Sequence, residues 1–424
     1  MAKDKTTLAG NVQKFLRDSF RPKFGKLRDT FSSDPLWQKL RQLGSELWLD
    51  TGSMEEARKL WTRQFSALTT NNTLLNKEVQ TGRYDSLMAD IARLLRPYEL
   101  GDKEKMLEIA FILNAWHGLR LVEKFDAFVS VEEHTDLAQD VHLAIEYAKR
   151  YHAVCPERFI VKIPFTPAGL LATRKVADEE IPVNHTLGFS ARQNYIIARI
   201  AKPVYVNVFL GRLNSFVKDN GLGDGAYIGE KATLASQNAV LRLRQEGKTM
   251  SKQIGASFRE GAQVRDLAGI DVMTIPPKVA AQFRELGLSP DDVTDKTGAD
   301  YAVGVTNEAD IDRIRVDTLW NIPDELVACL DALEQENLDN FTADDLVAFF
   351  ADHRCGDVIV PWTDQQIQTS TQEGKIPKLA NWKELLASKR VGLDALMNLA
   401  GLNSFAMDQK AMDDRVRDVL SRSK

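Results

Sequence analysis

The sequence predicts an α/β protein: a (β/α)8, or TIM, barrel with a helical N-terminal extension and a helical C-terminal region. Three observations carry this. Eight short apolar runs fall between residues 46 and 276. Most are separated by stretches of helical period, such as 137–152 and 167–179, and strands alternating with helices build right-handed βαβ units on a parallel sheet. The span of about 230 residues matches the length of such a barrel. A doubly wound sheet would need a phosphate-binding turn after its first strand, and Asp50-Thr51-Gly52-Ser53 is not G-x-G-x-x-G.

Residues 1–44 form the extension. They carry ten Lys or Arg against four Asp, so they contribute +6 to a formal net charge of -5 and leave -11 on the rest. Asp4, Asp18, Asp29 and Asp34 argue against a transit peptide, which is poor in acids; a helix with a solvated basic face is expected. The overall balance of 55 basic and 60 acidic residues gives no electrostatic case for nucleic acid or an anionic membrane as partner.

The barrel itself is expected over 45–280, with strands at 46–50, 67–71, 127–132, 159–164, 181–187, 204–209, 253–258 and 272–276. The remainder, 281–424, reads as helices and turns, with a loop around 356–361 and a helical end over 382–420. It is expected to pack on the barrel. No stretch reaches the ~18 apolar residues of a spanning helix, and the first residues lack the apolar core of a secretory signal. Cys155, Cys329 and Cys355 are far apart and form neither a disulfide framework nor a metal spacing. A soluble cytoplasmic protein is the expectation.

In a parallel barrel the active site lies at the C-terminal ends of the strands, and residues two apart on a strand share a face. Lys162 stands inside the apolar fourth run, Phe159-Ile160-Val161-Lys162-Ile163-Pro164. Desolvation disfavours an ammonium, and a neutral amine near the barrel axis is what a Schiff-base nucleophile needs. A lysine that snorkels to the rim or pairs with a carboxylate is the plainer alternative. Asp50 ends the first run and Glu132 the third, so two acids converge on the amine; one could protonate departing water and the other move a hydroxyl proton, or one could form an ion pair.

Asn184 and Thr186 share the inward face of the fifth run, and Asn71 ends the second. These are neutral groups suited to sugar hydroxyls; each alone reads more readily as a turn or core polar residue. Tyr205, Asn207 and Phe209 point inward on the sixth. Arg212 and Arg259 follow the sixth and seventh runs, where guanidinium groups and the hydroxyl of Ser257 can hold a phosphate; each alone reads equally as a rim salt bridge. The six histidines show no ligand spacing such as H-E-x-x-H, so no metal is expected. His185, between Asn184 and Thr186, should face the helices. The glycine-rich stretch 221–229 reads as a flexible loop over the mouth.

Taken in order, these segments resemble the transaldolase family. The text that carries the resemblance is Leu47-Trp48-Leu49-Asp50-Thr51-Gly52, Thr69-Thr70-Asn71, Val129-Ser130-Val131-Glu132, Ile160-Val161-Lys162-Ile163, Asn184-His185-Thr186-Leu187-Gly188-Phe189-Ser190, Phe209-Leu210-Gly211-Arg212 and Gly255-Ala256-Ser257-Phe258-Arg259. It spans about 46–277, and Phe405-Ala406-Met407-Asp408-Gln409 is similar to the family's C-terminal helix.

The resemblance implies a Schiff-base enzyme without metal or organic cofactor. It would move a dihydroxyacetone unit from sedoheptulose 7-phosphate or fructose 6-phosphate to an aldose phosphate, in the pentose phosphate pathway. It implies Lys162 as the nucleophile and Glu132 as an acid/base acting through a water placed by Thr186. Asp50 would take the hydroxyl proton. Asn71 and Asn184 would bind the dihydroxyacetone unit, and Arg212, Ser257 and Arg259 the phosphate. Asn207-Val208 departs from the family's usual Ser-Pro before the strand-six Phe, which changes one contact. The rivals are an aldolase releasing free dihydroxyacetone, in which Tyr and Gln typically replace Phe209 and Glu132, and a non-catalytic sugar-phosphate-binding barrel. The expected partners are sugar phosphates and, in a homodimer, a second copy.

Overall fold

Eight parallel strands close on themselves in chain order: β1 (Glu46–Asp50), β2 (Phe65–Thr69), β3 (Phe128–Glu132), β4 (Phe159–Pro164), β5 (Val183–Thr186), β6 (Tyr205–Phe209), β7 (Lys252–Ala256) and β8 (Val272–Ile275). The computed structural model describes residues 7–20, 22, 24–25 and 30–422. Its closed barrel with flanking helices is the (β/α)8 architecture expected from the alternating pattern. The register sets Glu132 beside Lys162 and Lys162 beside Asn184 across three neighbouring strands. Neighbours in register point to the same side of a sheet, so one layer of the barrel interior carries an acid, an amine and an amide.

β5 and β8 end one residue earlier than expected, and two strands end two residues earlier. β2 stops at Thr69, and Asn71 instead caps the helix Asn72–Gln80, its side chain accepting from the Leu74 amide at 2.8 Å. A short polar side chain that can bond its own backbone two or three residues on favours a cap over a strand end. β7 stops at Ala256, because Ser257 adopts a left-handed φ of 65° that no strand continues.

Outward side chains of the strands, among them Val129, Val131, Val161, Val183 and Val206, are completely buried under the helix layer. His185 faces this layer as expected and pairs with Thr173 Oγ1 at 2.8 Å. Burial pushes its ring down to about 3. His117 is likewise buried, against the Tyr84 hydroxyl at 2.8 Å, and is pushed down to about 4 by burial and by Arg120 and Arg83. Both rings stay neutral in the fold while the unfolded chain takes up protons below about 6.5. Stability is therefore whole above that pH and falls as pH drops toward the folded values. Urea unfolding at pH 7.5 and pH 5 should show each histidine removing about 2 kcal/mol over that interval. His185→Asn should remove one share of the slope; an unchanged slope in this variant would contradict the neutral ring.

In the extension, the helix Leu8–Ser19 buries Leu8, Val12 and Leu16 at four-residue spacing. Gln13 and Arg17 both donate to the Ala153 carbonyl at 2.7 Å. Lys3, Lys5, Arg21, Lys23, Lys26 and Arg28 of the basic arm lie outside the described residues. After the barrel, the helices Asp324–Leu333 and Ala343–Asp352 pack their leucines and Phe350 with Leu170, Leu171, Ile196 and Ile197 from barrel helices. The stretch 221–229 is not a free lid. Its backbone pairs with 304–306 through Gly225 N to Gly304 O at 3.0 Å, Gly304 N to Ala226 O at 2.8 Å and Thr306 N to Leu222 O at 2.8 Å. Among the described residues no helix is long and apolar enough to cross a membrane.

The 30-residue helix Leu393–Arg422 is about 45 Å long and runs over the C-terminal ends of the strands. Its start is fastened by a buried ion-pair cluster. Arg192 Nε and Nη2 donate to the Asp394 carboxylate at 2.7 Å each, and Ser190 Oγ donates to the same group at 2.6 Å. Arg192 Nη1 and Arg315 Nη1 both reach Asp357, at 2.9 and 2.7 Å. One turn on, Asn398 Nδ2 donates to the carbonyls of Phe165 and Leu187 at 3.0 Å each, in the loops after β4 and β5.

Candidate active site

Lys162 is the pivot. It is only 4% exposed although it carries an amine, since β4 is buried along its whole length. Its Nζ donates to the Thr70 carbonyl at 3.4 Å and lies 3.9 Å from Glu132 Oε1. The other carboxylate oxygen of Glu132 accepts from the Asn72 amide at 3.0 Å, the first turn of the helix after β2. Burial raises the Glu132 carboxyl; Lys162 and the Asn72 amide oppose it. Burial raises Asp50 as well, opposed by Lys162 and Arg259. Two carboxyls with raised pKa values thus flank one amine, as expected from the strand ends, and each can take and return a proton near neutral pH more readily than a solvated acid.

The neutral groups line up beside them. Asn184 Nδ2 donates to Ser130 Oγ at 3.1 Å, and its Oδ1 accepts from Asn207 Nδ2 at 3.0 Å. Asn207 also reaches the His185 carbonyl at 3.2 Å. Both amides are locked by protein partners, yet Asn207 Oδ1 and Thr186 Oγ1 are buried without one. Buried polar atoms are ordinarily bonded, so these two are the groups left over for a substrate or water. Asn71 has spent its Oδ1 on the helix cap.

Aromatic rings form the next wall. Phe209 meets Phe189 edge-on at 5.6 Å. Phe405, from the long last helix, lies 5.8 Å from Lys162 Nζ and 5.4 Å from the Arg212 guanidinium. Arg212 is 6% exposed, and its Nη1 has no partner. Burial and the neighbouring Arg259 hold it down to about 10. Gly211 lies against the Ser257 carbonyl and the Arg259 stem, so a side chain there would part the helix turn that carries Arg212 from the loop that carries Arg259. An arginine kept from water with free donors is poised for an anion.

Every residue singled out as a candidate is therefore near a strand end at the mouth. Three contributors escaped sequence reasoning. The Thr70 carbonyl and the Asn72 amide are backbone groups with no side-chain signature. Phe405 belongs to a motif visible in the sequence, but nothing local says what that motif covers.

A family profile described as Transaldolase/Fructose-6-phosphate aldolase matches residues 47–349, most of the chain. The chain belongs to this family. Among similar proteins, the transaldolase of Xanthomonas euvesicatoria pv. vesicatoria is 29% identical over 265 residues, covering 59% of this chain and 80% of that one. The transaldolase of Gloeobacter violaceus is 27% identical over 284 residues, covering 64% and 70%. The protein is thus an enzyme of the transaldolase family. The match extends past β8 into the helices that follow, and it stops before the helix that carries Phe405.

Proposed function

We propose that the enzyme is a Schiff-base transaldolase that moves a dihydroxyacetone unit between sugar phosphates. The donor is a ketose phosphate such as sedoheptulose 7-phosphate or fructose 6-phosphate, and the acceptor an aldose phosphate of the pentose phosphate pathway. The observation that carries this reading is the Lys162 amine, buried 3.9 Å from Glu132 with Asp50 in electrostatic contact. A site that only binds sugars needs no buried amine between two acids.

In this mechanism the Lys162 amine adds to the ketose carbonyl. Glu132, with Thr186 holding a water, delivers the proton with which the carbinolamine oxygen leaves as water. Asp50 takes the proton of the C4 hydroxyl as the C3–C4 bond breaks and the aldose phosphate departs. The electron pair left on C3 is delocalised into the iminium and then adds to the acceptor aldehyde, whose oxygen takes the proton back from Asp50. Water releases the product and restores the amine. Asn71 and Asn184 hold the dihydroxyacetone hydroxyls; Arg212, Ser257 and Arg259 hold the phosphate at the far end.

Phe209 supports transfer over simple release. It presents a buried ring without a hydroxyl, so that position gives the C3 carbanion no proton donor. A coupled assay with fructose 6-phosphate decides between the two. Turnover that requires erythrose 4-phosphate is the expected result. Equal turnover without it means an aldolase releasing dihydroxyacetone, and no turnover in either mixture leaves a binding barrel. A reducing compartment, the cytoplasm, suits the three free, buried cysteines.

A further inference from the structure

The two phosphate-side arginines stand on different elements, Arg212 in the first turn of the helix Leu210–Asp219 and Arg259 in the loop after β7. One buried carboxylate joins those elements. Glu230 is 3% exposed, in the first turn of the helix Ile228–Gln245. It accepts from Asn214 Nδ2 at 3.0 Å and from Gln263 Nε2 at 2.7 Å. Asn214 lies two residues after Arg212 on the same helix, and its Oδ1 accepts from the Gly229 amide at 2.7 Å. Gln263 Oε1 accepts from the backbone amides of Arg259 at 2.7 Å and Glu260 at 3.1 Å. The Glu260 bond alone would cap the short helix Gly261–Asp266; the shorter bond goes to Arg259. Both side-chain amides have their oxygen on a backbone N–H, so each turns its NH2 to position 230. An acceptor-only carboxylate is the group that fits between two such donors. Burial raises the Glu230 carboxyl, opposed by the Gln263 and Asn214 amides.

We propose that Glu230 is a positioning residue for phosphate binding: through Gln263 and Asn214 it fixes the Arg259 backbone against the helix that carries Arg212. The proposal rests on the phosphate being held at those two arginines. Hydrogen bonds to an anion depend on direction as well as distance, so two guanidinium groups grip one phosphate only while their separation is held. Gly211, against the Ser257 carbonyl and the Arg259 stem, lets the two elements approach; the Glu230 network keeps them in register. Its effect is confined to substrates with a terminal phosphate. A three-carbon ketone without one places nothing between the arginines.

The test is steady-state kinetics on the full chain with Glu230→Gln, Gln263→Ala, the double variant Glu230→Gln/Gln263→Glu, and Arg259→Ala. Glu230→Gln sets one NH2 against another, so a link of the network must open. It should raise KM for fructose 6-phosphate and the inhibition constant of inorganic phosphate about tenfold each, with kcat within about twofold. Borohydride trapping with free dihydroxyacetone should match the wild type. The double variant exchanges amide and carboxylate, restores a donor opposite an acceptor at every link, and should bring both constants back to within about twofold of the wild type. Gln263→Ala keeps Glu230 on Asn214 and frees only the Arg259 loop; it should raise the same two constants, and it carries the test if Glu230→Gln does not fold. If Arg259→Ala raises both constants and neither Glu230→Gln nor Gln263→Ala does, the network has no part in phosphate binding and the proposal fails alone. If Arg259→Ala moves them no more than the others do, the placing of the phosphate itself is wrong. Equal weakening of dihydroxyacetone trapping, or a double variant no better than Glu230→Gln, would show a general folding role and overturn the proposal.

Discussion

Lys162→Met should lower transferase activity by at least about 10⁴-fold, to the level of the uncatalysed reaction, because no other residue in the site can form the covalent intermediate. Methionine has nearly the length of lysine and no charge, so it fills the same space under Phe405. The carboxyls that lose their cation can respond by binding a proton, since burial already raises both Glu132 and Asp50. The sign follows from linkage. The folded variant would hold a proton that the unfolded chain releases above about pH 4.3, so its stability should fall with rising pH more steeply than that of the wild type. One experiment checks the covalent step. Borohydride reduction with fructose 6-phosphate followed by peptide mass analysis should show a three-carbon adduct on the Lys162 peptide of the wild type and on no peptide of the variant. An adduct elsewhere in the wild type would remove Lys162 from the mechanism.

The acids should separate by step. Glu132→Gln should slow imine formation by roughly 10²–10⁴-fold, the usual cost of a positioned acid or base. Its geometry is defined: the Asn72 amide donates to one oxygen of Glu132 at 3.0 Å, so the glutamine carbonyl takes that bond and turns its NH2 toward Lys162. A donor then faces the amine where an acid/base stood. Asp50→Asn should form the imine at close to the wild-type rate and lose about the same factor in carbon–carbon cleavage. Rapid quench with borohydride measures the first step, and release of the aldose phosphate the second. Equal trapping rates in the two variants would refute this division of labour.

The barrel was legible because its strands are buried on both faces and therefore read as continuous apolar runs, within which a polar residue stands out. Lys162 in β4 is the clearest instance; Glu132 and Asp50 at strand ends follow from the same logic. The second strand was placed two residues late because Thr69-Thr70-Asn71 has the composition of a strand end, while the asparagine is bound to the helix that follows. Ser257 was read inside β7 because a left-handed φ leaves no mark when the residue is not glycine. The glycines of 221–229 predict a flexible loop over the mouth, but the stretch is held by backbone pairing with 304–306, which no side chain reports. Phe405 was beyond reach for another reason. Its helix buries residues on several faces, from Leu396 and Met397 to Phe405 and Met412, so no single apolar stripe points to what it packs against.

The position of Phe405 in the chain has a temporal side. Ile275 closes the barrel, and the ring over Lys162 follows 130 residues later. At roughly 5–20 residues per second of synthesis, that interval is about 6 to 26 seconds. For that time a nascent chain can hold a finished barrel whose reactive amine has no roof, open to any small aldehyde in its surroundings. The helices Asp324–Leu333 and Ala343–Asp352, made in between, bury their leucines on the barrel flank. The last helix then turns a folded barrel into a guarded one, so maturation of this enzyme is an event of its C-terminal end.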